Sequence, residues 1–229
     1  MAFATLQSST TSAQATGTTS HPLTNPTGAT TGSLVIHIFG TSDGSTFTWS
    51  SGWTAAVADT ANGSACKLGV RWRILDGGAN DSCTVTTSGS TESAAVALRY
   101  TGYDTTTPIV GAAVTTGGPD SIPDPPNCNP GSAADYVFVE GFCADDDDDT
   151  ATYWSSSYTG IQQVQSASTT TSCLVAAAYR NLNASSTNPG VMALNAEEEW
   201  VTFTLAVKPG DGAEGGGGAA QNSNFLALL

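Results

Sequence analysis

Gly40-Thr41-Ser42-Asp43-Gly44 has the spacing of a nucleophile elbow and follows an apolar, strand-like run. An elbow also needs a helix behind it and a histidine later in the chain to take the serine proton. Here Thr46 to Trp49 reads as a strand, and His21 and His37, the only histidines, both precede Ser42. The serine has no candidate base, and a non-enzymatic protein is expected. A second group is the run of five aspartates from Asp145 to Asp149. Clustered carboxylates suit a hard cation, but the run lacks the glycine and the distal glutamate of an EF-hand loop. It reads as a solvated acidic loop with weak capacity for a cation, and no cofactor is expected.

Three further groups could recognise a partner. Arg71 and Arg73 flank Trp72 on the polar face of an alternating segment, and arginine is enriched where proteins meet. Trp49, Trp53, Trp154 and Tyr158 fall near turns, where an aromatic can stack on a ligand or close a core. Phe225, Leu226, Leu228 and Leu229 form an apolar hook after the glycine-rich stretch DGAEGGGGAAQNSN. That stretch reads as a flexible linker. Burying a Leu or Phe side chain is worth about 1.5–3 kcal/mol, so the hook is expected either to fold back or to dock in a groove on a partner. With Arg71 and Arg73 it makes up the expected contact set. The five cysteines show no C-x-x-C pair and are expected as buried, reduced thiols.

Composition narrows the classes. Six basic residues face 20 acids, for a formal charge of −14. Nothing here neutralises a run of phosphates, so nucleic acid is excluded as a partner, and an anionic membrane surface is disfavoured. The first residues, MAFATLQSSTTSAQATG, lack the basic and apolar regions of a signal peptide. No apolar run reaches the length of a membrane span. Synthesis in a cytosol is expected.

The elements that must position these groups read as strands. Charged residues are only 11% of the chain, and Ser, Thr, Gly and Ala dominate. Residues 33–40, SLVIHIFG, are apolar on both faces except for His37 and read as a strand buried on both sides. Leu68, Val70, Trp72 and Ile74 alternate with Lys67, Gly69, Arg71 and Arg73, the period of a strand with two different faces. Ala94, Val96, Leu98 and Tyr100 repeat that pattern, as do Val201, Phe203, Leu205 and Val207. The order of features after SLVIHIFG returns after ADYVFVEGF (residues 134–142): SGWTAAV and ACKLGVRWRIL in the first half, YTGIQQV and SCLVAAAYRNL in the second.

The fold class read from these patterns is all-β. It is a jelly-roll-like β-sandwich of two pseudo-repeated four-strand modules, with extended arms at both ends. Residues 1–31 read as an arm with one short strand near Phe3 to Gln7, either loose or laid on a neighbouring subunit. Residues 32–116 form the first module and 132–209 the second. Residues 117–131, with five prolines, form a semi-rigid connector. Residues 210–229 carry the linker and hook.

Gly32 to Val35, Gly52-Trp53, Trp72 and Tyr100-Thr101-Gly102 resemble the opening strand, Gly-Trp turn, aromatic strand and Tyr-x-Gly ending of a β-sandwich module of tailed-bacteriophage virion proteins. The resemblance spans residues 30–208 and implies no catalytic residues. It implies a capsid decoration (cement) protein on the outer head surface. The expected partners are the major capsid protein and further copies of the chain in a homotrimer. A tail-fibre or tail-tip module that binds a host glycan is the alternative.

Overall fold

The computed structural model of the chain describes residues 2–146, 151–155, 157–167 and 171–210. Two antiparallel sheets pack face to face. The first contains β1 (Thr5–Leu23), β2 (Leu34–Thr41), β4 (Thr54–Asn62), β5 (Cys66–Ile74) and β6 (Cys83–Thr101), in the order β1-β6-β2-β5-β4, and short β3 (Phe47–Trp49) also pairs with β6. The second contains β7 (Ile109–Asp120), β8 (Ala134–Asp146), β10 (Thr159–Gln165), β11 (Ser172–Ala184) and β13 (Glu198–Val207), in the order β10-β11-β8-β13-β7. A two-stranded ribbon joins β9 (Ala151–Tyr153) to β12 (Ala193–Leu194). Among the described residues, β1 to β6 form the first sheet and every strand of the second sheet lies at or after β7.

The two sheets have the same strand order. β1, β2, β4, β5 and β6 take the places that β7, β8, β10, β11 and β13 take in the second sheet. The repeat read from the apolar runs is therefore a repeat of topology, with five main strands per module rather than four. The fifth is the strand that sequence patterning undervalues. β1 is mostly Ser and Thr and was read as an arm, yet it pairs along β6 from Thr5↔Thr101 to Leu23↔Cys83. As an edge strand it carries polar residues on both faces, which erases the alternation that marks a half-buried strand. In the same way, β7 extends into the proline-rich segment and pairs with β13, so it opens the second sheet rather than closing the first.

The core lies between the sheets. Leu34, Ile36, Ile38, Leu68, Val70, Val96 and Leu98 of the first sheet meet Val137, Val139, Val175, Val201, Phe203 and Leu205 of the second, all fully or almost fully buried. The alternations read from sequence place these residues on the correct face. Both long sides of the sandwich are clipped by side chains. Asn62 Nδ2 of β4 donates to Gly117 O of β7 at 2.7 Å. Gln162 Nε2 of β10 donates to Ser9 Oγ of β1 at 3.2 Å.

Each central strand carries one glycine where packing leaves no room for a Cβ, against the opposite sheet at Gly40 and against its own sheet at Gly141. A Cβ at Gly40 would come within 2.5 Å of Cys143 Sγ and 2.6 Å of Val175 Cγ2 on the opposite sheet. A Cβ at Gly141 would collide with the carbonyl oxygen of Ala176, which is backbone and cannot rotate away. Overpacking of this kind costs about 1–3 kcal/mol. Gly141→Ala is therefore expected to lower the unfolding free energy by that amount, read as a lower urea midpoint with an unchanged m-value. Gly32→Ala, where no heavy atom lies near the added carbon, is expected to cost less than Gly141→Ala in the same titration, despite its left-handed backbone.

Candidate functional site

The central strands are buried on their outer faces as well as their inner ones, because loops cover both sheets. The outer face of the first sheet holds Val35, Phe39, Val85 and Ala95 under Leu23, Phe47, Trp53 and Leu75. The outer face of the second holds Phe142, Ala144, Leu174 and Ala176 under Met192, Leu194 and Trp154, and beside them Tyr136, Phe138, Ala178 and Ala206 under Cys128 and Tyr158. Polar side chains that point outward from the central strands therefore sit in dry surroundings.

On the first sheet these are histidines. Asn25 Nδ2 donates to Asp81 O at 2.9 Å, which turns Asn25 Oδ1 toward His37 Nε2, also 2.9 Å away. An amide oxygen only accepts, so Nε2 carries the proton and Nδ1 is the bare nitrogen. That Nδ1 is buried without a partner. Burial alone pushes the His37 pKa down to about 3. His21 is held by a similar relay. Thr87 Oγ1 gives its hydrogen to Gly89 O at 2.7 Å, so it accepts from His21 Nε2 at 3.1 Å, and Ser93 Oγ donates to His21 Nδ1 at 2.8 Å. Burial lowers the His21 pKa as well. Both rings are neutral, and neither meets Ser42, whose hydroxyl lies 3.5 Å from Thr91 Oγ1.

On the second sheet the buried group is Glu140 of β8, fully enclosed, with no hydrogen-bond partner on either carboxylate oxygen. Its neighbours across the strands are Thr204 of β13 and Ala178 of β11. Thr204 Oγ1 and the nearby Tyr158 hydroxyl are also buried and unbonded. The hydroxyl of Ser155 is directed to Gly190 O at 2.7 Å. Burial raises the Glu140 pKa to about 7, and the approach of the Ser155 amide and hydroxyl, too poorly placed for a hydrogen bond of good geometry, opposes the rise. Sequence reasoning passed over this residue, although a lone acid in the most apolar run of its half was the available signal.

The expected contact residues behave differently. Arg71 is committed within its own chain. Its Nη2 pairs with Asp59 Oδ2 at 2.8 Å, Nη1 donates to Val57 O at 2.9 Å, and the guanidinium lies 5.1 Å from the Trp49 ring centre. Arg73 pairs with Asp81 at 3.0 Å and Asp76 at 2.8 Å, and donates to Gly52 O at 3.2 Å. Their outward face is thus a wall of internal ion pairs. Trp53 is buried edge-on to His37, with ring centres 4.7 Å apart. Tyr158 is buried near Glu140. Of the four aromatics only Trp154 lines an open groove, of about 300 Å³, with Gly160, Ile161, Gln162 and Gln163.

Phe225, Leu226, Leu228 and Leu229 lie outside the described residues, as do Asp147, Asp148 and Asp149. Asp145 lies near the end of β8, opposite Cys173. Among the described residues no group of three His, Cys, Asp or Glu side chains is arranged to hold a metal ion. All five cysteines are free and buried, and burial lifts the thiols of Cys83 and Cys128 to about 12. No protein-family model, curated protein or solved structure matches the chain.

What the described residues offer is titration in dry surroundings. A histidine whose folded pKa lies below its unfolded value stabilises the fold above pH 6.5, and that stability is lost as pH falls toward the folded pKa. A drop from 6.5 to about 3 corresponds to at most about 5 kcal/mol. His37→Gln keeps a donor for Asn25 and cannot ionise. The difference in unfolding free energy between wild type and this variant, measured by urea titration from pH 8 to pH 4, is expected to shift steadily in the variant's favour below pH 6.5. A constant difference would show that His37 is not the group lost on acidification.

Proposed function

We propose that the chain is a non-enzymatic virion structural protein, a decoration protein that binds the outside of a phage head shell and reaches its partner through residues 211–229. The observation that carries this reading is the anchor of that segment. Gly210 N donates to Gly102 O at 2.9 Å, and Pro209 bridges to Tyr103, so the segment leaves from a fixed point at one end of the sandwich. Beyond that point the sequence runs through glycines to Phe225, Leu226, Leu228 and Leu229.

Elimination supports the same segment. The sheet edges lie against each other in pairs, β4 with β7 and β1 with β10, which disfavours strand addition by a partner. Arg71 and Arg73 are held by their own acids. The apolar stretch after residue 210 then remains as the sequence's strongest candidate for insertion into an apolar groove. A net charge of −14 favours solubility and opposes non-specific clumping, which suits a protein held in solution and then captured by a shell. The Gly32, Gly52-Trp53, Trp72 and Tyr100-Thr101-Gly102 pattern adds the phage context and the homotrimer.

A second reading has its own observation. The Trp154 groove is lined by an indole together with Gln162 and Gln163 of β10, a mix of apolar and polar surface that suits a sugar ring. On that reading the chain is a tail-fibre or tail-tip module.

Mass spectrometry of purified virions against the major shell protein separates the two. Hundreds of copies per particle are expected for decoration, and a handful would overturn it in favour of the tail. With 211–229 removed, the protein is expected to keep its urea midpoint and to lose at least tenfold in shell affinity. On the glycan reading, Trp154→Ala is expected to abolish binding on a glycan array to which the parent chain binds; unchanged binding would remove that groove from consideration.

A further inference from the structure

The strongest unexplained feature is Glu140. Its carboxyl is fully buried in the middle of a central strand; neither oxygen makes a hydrogen bond of good geometry, and Ser155 is the polar neighbour that favours the ionised form. Two other buried hydroxyls in its surroundings, Thr204 Oγ1 and Tyr158 Oη, are also unbonded. Three unsatisfied polar groups on one dry face are unusual, since buried polar atoms are nearly always hydrogen-bonded.

Among the described residues Glu140 makes no ion pair. From β11 the residues nearby are Ala178 and Arg180, and both Arg180 and Glu140 lie close enough to Tyr158 to influence it. From β13 the neighbour is Thr204. The covering segments contribute Ser155, Tyr158 and Cys128, and Cys128 likewise acts on Tyr158. On its own strand Glu140 is flanked on the same face by Phe138 and Phe142. A neutral carboxylic acid tolerates this setting; a carboxylate does not, unless water or a cation reaches it.

What lies over it is held on by few bonds. Residues 121–128 cross the outer face of the second sheet. Met192 N donates to Pro123 O at 2.8 Å, Leu194 N to Ser121 O at 2.9 Å, and Cys128 and Thr187 exchange two bonds of 2.9 and 3.0 Å. To the sheet itself the cover is tied by Thr202 Oγ1 donating to Asp124 O at 3.2 Å and by a long contact of 3.9 Å from Cys128 Sγ to Val110 O. Ile122 and Val191 on this cover are the two exposed large apolar side chains of the described residues. The cover is therefore a thin layer with little core of its own.

We propose that Glu140 is a proton-operated latch for this cover: with the carboxyl protonated, residues 121–128 and 187–194 lie closed on the second sheet, and its ionisation releases them. The sign follows from linkage. A carboxyl whose folded pKa is raised stabilises the closed form below the unfolded value, and that contribution disappears as pH rises from about 4.5 to about 7. Opening admits water to Glu140 and uncovers Phe138, Phe142 and Ala178. The latch is independent of the decoration reading, since no residue beyond 210 takes part.

Hydrogen exchange of the full chain tests it. The amides to follow are those of Met192, Leu194, Cys128 and Thr187 in the cover. Gly32 N and Leu75 N, both bonded within the first half, serve as internal reference. After correction for the intrinsic rate, cover protection is expected to fall roughly tenfold or more between pH 6 and pH 8.5, with the reference amides unchanged. Glu140→Gln is expected to abolish that fall. Constant cover protection in the wild type would overturn the latch. So would an equal loss in Glu140→Gln, or a loss shared by the reference amides, which would mean global loosening. If the glutamine variant does not fold, the wild-type comparison of cover with reference amides still decides the matter.

Discussion

The constraint on which the rest depends is that both sheets are buried on both faces. All eight residues of β2 are buried, and β8 is buried from Tyr136 through Ala144. A sandwich needs only its inner faces dry, and its outer strands then alternate apolar with polar. Here the outward positions of the central strands are Val35, Phe39, Phe138 and Phe142, which would leave large apolar patches in water. The loops therefore have to act as covers. That requirement explains why the chain invests residues 20–33 and 42–53 on one side, and 121–131 and 185–197 on the other, in segments that lie flat on a sheet. It also explains why a polar residue on a central strand, His37 or Glu140, is held in a dry place rather than in solvent.

Five of the six basic residues are likewise committed within the chain. Arg73 fastens the Asp76 to Asp81 turn, Arg71 holds Asp59 against Trp49, Lys208 holds Asp104 at 2.6 Å, and Lys67 lies 4.9 Å from the Phe47 ring. Arg99 supports the loop before β2 through Ser33 Oγ at 3.1 Å. These partly buried pairs position the loops of the first half and the junction between modules. The cover of the second sheet has no such ion pair among the described residues, and relies on backbone pairing and single hydroxyl or thiol contacts. The two halves share a strand order but not a method of fastening.

Much of this arrangement was legible in the sequence, and the failures have physical causes. Alternation fixed the inward faces of β5, β6 and β13, because the inter-sheet core is purely apolar and period two survives there. The unbroken apolar runs marked β2 and β8 as central. β1 was unreadable as a strand, since an edge made of Ser and Thr has no apolar period. β7 escaped in part because its length includes Gly117, Gly118 and Pro119, residues that ordinarily punctuate. Arg71 and Arg73 were read as an outward polar face, which is correct for their direction. Sequence could not show that Asp59, Asp76 and Asp81 come back to meet them, because pairing between loops is set by topology. Glu140 and His37 were visible as single polar residues in apolar runs. Whether such a residue is satisfied depends on the cover above it, and no local pattern encodes that.

The two buried groups have opposite charges when ionised, and this shapes the molecule's response to pH. His37 is neutral above about pH 3 when folded, so its contribution to the first half is lost as protons are added. Glu140 is neutral below about pH 7, so its contribution to the second half is lost as protons are removed. Between pH 4.5 and 6.5 the two slopes have opposite sign and partly cancel, which flattens the global stability there even though each half is changing. A single unfolding curve would hide both effects. The asymmetry appears only when the halves are observed separately, because the shared inter-sheet core couples them against global unfolding while each outer cover rests on its own sheet. A fold repeated in topology thus carries two different acid–base responses, determined by one residue on each central strand.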